Sequence, residues 1–245
     1  MIWAIISLAL GGILKGATGA GTPVLAVPVM AMFFGVDVAI VTMLIPNLVN
    51  NFWQGWQFRE SLMPRRFMVV FNIAGMVGVV IGTWLLVSLS PKILLLMVAF
   101  GVFSFIAFRL ARPGWQVPER LHQMLAAPVG VLSGILQGAA GVSAPVSITF
   151  LNAMRLTRPV FIGTISWFFA WMTVAQLPAL ALSGVLTWER LGYSLGALAL
   201  ISAFMPLGGK IGKRVSRETF DKALLTLLFL ISVKIVVDAL RAGAA

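Results

Sequence analysis

Ten apolar stretches alternate with short polar gaps along the 245 residues. In the first half they cover residues 2–14, 23–34, 38–58, 67–89 and 93–110. In the second they cover 124–136, 145–154, 160–185, 191–207 and 223–240. The third to fifth members of each set are mostly long enough to cross a bilayer, whose hydrocarbon takes about 20 helical residues. The first two of each set run only 10 to 13 residues. As helices rising about 1.5 Å per residue, they would cover roughly half to two-thirds of a crossing.

The two sets are copies. Gly12-Ile-Leu-Lys15-Gly16-Ala-Thr-Gly19-Ala-Gly21-Thr22-Pro23-Val24 recurs as Gly134-Ile-Leu-Gln137-Gly138-Ala-Ala-Gly141-Val-Ser143-Ala-Pro145-Val146. The offset is 122 residues, with 8 of 13 positions identical. At the same offset Thr42 matches Thr164 and Gln54 matches Gln176; further on, at 130, Gly82 matches Gly212 and Lys92 matches Lys222. The chain therefore reads as two repeats, residues 1–122 and 123–245, in one integral membrane domain. Each repeat carries a Gly-rich break ending in Pro. Interrupted apolar segments at matching places in two halves point to a transporter's binding site.

Charge decides how the short pairs are threaded. If each enters and leaves on one side, thirteen basic residues fall on one face, among them Arg59, Arg65, Arg109, Arg112, Arg155, Arg158, Lys213, Arg214 and Arg217. Lys92, Arg190 and Arg241 fall on the other, and Lys15 and Lys234 stay within apolar segments. If each pair were instead one full span, the loops would divide evenly. The positive-inside rule selects the first threading, with both chain termini periplasmic. Five segments per half then make the two repeats inverted. The expected fold is an all-α polytopic membrane protein of two inverted repeats, each opening with a short broken or re-entrant hairpin.

Composition agrees and removes other classes. The chain is 60% hydrophobic and 10% charged, with mean hydropathy +1.02, whereas soluble domains carry about 25% charged residues. Its net charge of +11 sits in gaps between apolar runs, a loop distribution rather than a nucleic-acid patch. With no Cys, one His and seven acids, neither a metal site, a cofactor nor an enzyme's acid–base machinery is expected. The first residues lack the basic start of a signal peptide and read as part of the mature fold. His122 reads as a solvated linker residue.

The candidate site gathers at the breaks. Gly16, Gly19, Gly21, Gly138 and Gly141 permit unusual backbone and close approach, and the helices restarting at Thr22-Pro23 and Ala144-Pro145 aim N–H groups inward, where anions bind; Thr22 and Ser143 would supply further donors. Lys15 at the first tip, with Gln137 as its counterpart, is a costly intramembrane charge and so a functional candidate. Asn47, Asn50, Asn51 and Gln54 share one helix face, and Gln176 marks a weaker copy in the second half. Amides in hydrocarbon must meet protein or an aqueous cavity. The Gly75, Gly78, Gly82 row reads as helix packing, and Trp53, Trp56, Trp167 and Trp171 as interfacial belts. A lysine with amides and helix N-termini, and no carboxylate, suits an anion.

Residues 12–28 and 130–145, paired Gly-rich segments ending in Pro, resemble those of the sulfite exporter TauE/SafE family of bacterial membrane permeases. Ala20, Val142 and Ser143 stand where the family pattern is richer in Gly, and Lys15 is outside that pattern. The resemblance implies an inner-membrane carrier of a small anion such as sulfite or an organosulfonate. Alternating access around a midplane site is the expected mechanism, and an anion channel on the same scaffold is the rival. The expected partners are the anion and membrane lipids, without nucleic acid; monomer and homodimer both stay open.

Overall fold

The computed structural model describes residues 2–18, 22–111, 115–211, 225–226 and 228–237. Its helices are α1 (Ile2–Thr18), α2 (Thr22–Phe34), α3 (Val36–Gln57), α4 (Arg65–Ser88) and α5 (Pro91–Ala111). They continue as α6 (Glu119–Ala140), α7 (Ala144–Ala153), α8 (Arg158–Leu182), α9 (Trp188–Ile211) and α10 (Leu228–Val237). No strand occurs among the described residues. The chain is thus an all-α polytopic membrane protein, and α3, α4, α5, α6, α8 and α9 are long and apolar enough to cross a bilayer.

Each apolar stretch of the sequence became a helix, but two lengths need correcting. The first member of each pair is longer than its apolar stretch: α1 has 17 residues and α6 has 22. The α6 helix starts at Glu119, one turn before its apolar run, because polar residues in a helix end satisfy their backbone in place while their side chains meet water. His122 is correspondingly not a loop residue. It lies in α6, and its ring Nε2 is 2.9 Å from the Val117 carbonyl, which requires that nitrogen to carry the proton.

Rows of glycine weld the bundle. A Cβ on Gly130 would strike Phe71 and Ala74; one on Gly134 would strike the Gly75 carbonyl and Val79; one on Gly138 would strike the Val79 carbonyl and Thr83. The partner residues climb with the glycines, so α4 and α6 run parallel, backbone against backbone. The same holds where Gly12 meets Ile201 and Gly16 meets Met205 and Gly209, which makes α1 and α9 parallel. In lipid, where apolar burial drives little, such close approach is what dispersion needs. By contrast α3 and α8 cross antiparallel: Phe52 packs on Trp167 and Trp171, while Met63, past the α3 end, bonds Thr164 near the α8 start.

These directions sort the helix ends. Arg190 at the α9 start reaches Asp37 at the α3 start, so α1, α3 and α9 begin at one end of the bundle. The Val117 N–H donates to the Ala153 carbonyl at 3.0 Å, joining the residues before α6 to the last residue of α7. The hairpin of α6 and α7 therefore opens at the end where α3 finishes and α8 begins. Exposed Trp3, Trp84 and Trp188 mark the first end; exposed Trp53, Trp56 and Trp115 mark the second. Trp167 and Trp171 stack with each other against Phe52.

Candidate functional site

The first break lies between α1 and α2. Gly19 and Gly21, like Arg112, Lys213, Arg214, Arg217, Lys222 and Arg241 of the charge pattern, lie outside the described residues. Lys15, one turn before the break, is only 4% exposed. Its ammonium donates to Asn51 Oδ1 at 2.7 Å. Because an ammonium has donors only, this bond turns the Asn51 oxygen towards Lys15. Among the described residues the ion pairs are Arg59–Glu60 and Arg190–Asp37, both at helix ends, so the buried charge meets an amide and not a carboxylate.

The second break is fully described. Gly141 ends α6 in the left-handed region, at φ +68°, a conformation that a side chain resists. Two residues later Ser143 precedes α7, whose Ala144-Pro145 start matches the proline preference of a first turn. Ser143 Oγ donates to Gln137 Oε1 at 2.9 Å. On the first tip Thr22 Oγ1 donates to the Gly11 carbonyl at 3.1 Å. Both hydroxyl protons are thus engaged inside the protein.

A narrow cleft lies between the start of α2 and the second break. Asn47, Gln137, Ser143 and Thr173 form its polar wall, and Pro23, Val24, Ala144, Ile148, Phe169 and Met172 its apolar one. It has room for about one water molecule in this conformation. Residues from α2, α3, α6, α7 and α8 meet here, so both halves contribute. Lys15 stands one turn of α3 away, since Asn51, which holds it, follows Asn47 by four residues.

Of the sequence candidates, the structure joins Lys15 to Asn51 and Gln137 to Ser143 and Asn47. Asn50, Asn51, Gln54 and Gln176 are all buried. Gln54 lies 3.5 Å from Ser166 Oγ, a loose contact. The Asn50 Nδ2 and Gln176 Nε2 groups are buried with no hydrogen-bond partner, an expensive state unless something else takes those donors. Gly16 and Gly138 have their Cα faces against the backbones of α9 and α4, which gives each a packing role at the tips. Phe169 and Met172 escaped the sequence reading, although the 122-residue offset from Asn47 and Asn50 leads directly to them.

No described cluster of His, Cys, Asp or Glu could hold a metal ion. The family model of the sulfite exporter TauE/SafE matches residues 4–235. The chain belongs to the TauE/SafE family. No curated protein and no solved structure matches it. As a member of this transporter family with several apolar helices, the chain is a multi-pass membrane protein of transporter type.

Proposed function

We propose that this TauE/SafE protein carries a small anion across the bacterial inner membrane, with sulfite or an organosulfonate as the cargo, by alternating access around the cleft between the start of α2 and the second break. The observation that carries this reading is Lys15, buried and donating to the Asn51 amide on the face of α3 that also presents Asn47 to the cleft. A buried basic group behind that face favours negative charge, and no carboxylate lines the cleft to neutralise a cation. An anion of several atoms exceeds the room in the cleft, so loading it requires the surrounding helices to part.

An inverted-repeat organisation is part of the proposal. It is supported by the parallel pairing of α1 with α9 and of α6 with α4, the same partnership with the halves exchanged. The antiparallel crossing of the equivalent helices α3 and α8 supports it too. Basic residues Arg59, Arg65, Arg155 and Arg158 cluster where α3 ends and α8 begins, which supports a cytoplasmic position for that end and periplasmic chain termini.

The test is counterflow of labelled sulfite in proteoliposomes. Saturable uptake that unlabelled sulfite on the far side accelerates is the expected result. Conduction in large unitary currents without acceleration would mean a channel, and identical transport by wild type and Lys15→Ala would remove the site.

A further inference from the structure

Gln137 is the counterpart of Lys15, yet it has no charge to offer, and what it presents to the cleft depends on which way its carboxamide faces. A carboxamide has an acceptor end and a donor end. Facing the cleft with its oxygen, Gln137 would repel an anion; facing it with its NH2 group, it would bind one. Ser143 decides between these. Its Oγ lies 2.9 Å from Gln137 Oε1 and donates to it, and the Ser143 carbonyl already accepts from Ser147 Oγ at 3.0 Å. Ser143 is 3% exposed and Gln137 8%, so bulk water does not compete for either group. With its oxygen turned to Ser143, Gln137 keeps its NH2 group for the cleft it lines. At the first tip Lys15 imposes the same sense on Asn51, whose oxygen it occupies.

We infer that Ser143 is a positioning residue, which fixes the Gln137 carboxamide with its donor end towards the cleft and so sets the preference of the second tip for anions. This rests on the anion-carrier reading and adds to it a division of labour. The first tip attracts by charge and the second by an oriented dipole, and the serine acts through the glutamine rather than on the ligand.

The experiment measures sulfite binding to the full chain in nanodiscs, by calorimetry, for wild type, Gln137→Ala, Ser143→Ala, Ser143→Thr and the double alanine variant. Gln137→Ala and Ser143→Ala are each expected to weaken binding about tenfold, the scale of one hydrogen bond to a charged group. Ser143→Thr, which keeps the hydroxyl, is expected to stay within about threefold of wild type. The double variant is expected to be no weaker than Gln137→Ala alone, because residues acting through one contact do not add. Additive losses would make Ser143 a ligand in its own right, and unchanged binding in Ser143→Ala would remove its role; either overturns the inference and leaves the anion reading standing. A wild-type chain that binds no sulfite overturns both. Should Ser143→Ala fail to fold, Ser143→Thr paired with Ser143→Val, of similar shape without the hydroxyl, makes the same comparison.

Discussion

Lys15 Nζ and Asn51 Oδ1 lie 2.7 Å apart across 36 residues of chain, so the last turn of α1 is tied to the later part of α3 by a charge-assisted bond. Removing the lysine takes away the charge and releases the amide. Sulfite uptake by Lys15→Ala is expected to fall at least tenfold, as hydrogen bonds to a charge contribute about 1.5–3 kcal/mol. Asn51→Asp should be as damaging for a different reason, because the new carboxylate would neutralise the ammonium. Uptake in that variant at the wild-type level would argue against Lys15 as the anion's partner.

Arg190 and Asp37 form an ion pair at 2.7 Å between the α9 and α3 starts, with side chains 25% and 39% exposed. Arg190 also donates to the Val185 carbonyl at 2.9 Å, and Ser194 Oγ, one turn along α9, accepts from the Ile45 N–H at 2.9 Å. Partly exposed pairs contribute about 1 kcal/mol or less. Asp37→Asn is therefore expected to lower the melting temperature by only a few degrees, with the difference shrinking in high salt.

The threading can be read by labelling, since the native chain has no cysteine. A Cys at Asp37 should react with an impermeant maleimide added outside intact cells, and a Cys at Glu60 only after permeabilisation. The opposite pattern would reverse the orientation, and labelling of both from outside would break the proposed threading.

Close packing of α4 and α6 predicts a steric effect. Gly82→Leu would drive its side chain into the Ile135 carbonyl and Gly138. Overpacking of this kind costs about 1–3 kcal/mol, seen as earlier thermal aggregation in detergent. Gly192→Leu, at a position with open space around it, is the control and should melt near wild type.

Gly141 offers a second backbone test. Its φ of +68° disfavours a side chain by roughly 1–2 kcal/mol, and a Cβ there would stand 3.0 Å from both Ile40 Cγ1 and Val27 Cγ1. Gly141→Ala should therefore be destabilised by at least that amount in a melting experiment, and a melt unchanged from wild type would contradict the described turn.

The positions of the helices were legible because a bilayer imposes its length on apolar runs, whatever the tertiary contacts. Helix ends were less so: Leu121 alone is apolar between Glu119 and the start of the 124–136 run, yet the stretch is helical. Glycine roles were separable in principle. Gly130, Gly134 and Gly138 recur every four residues, as do Gly12 and Gly16, and that spacing places each set on one helix face. Gly141 breaks the rhythm and is the one with the positive φ. Which way a carboxamide faces could not be read at all, because it depends on Ser143 and Lys15 meeting amides through space.

The glycine rows also separate ancestry from mechanics. On the proposed two-repeat reading the chain is doubled end to end, but α1 lies backbone to backbone with α9, and α6 with α4. Any rearrangement that keeps those contacts must carry the opening helix of each copy along with a helix of the other. The pieces that shift against one another are then composites of both copies, and the seam of inheritance at residue 122 is not a seam of motion.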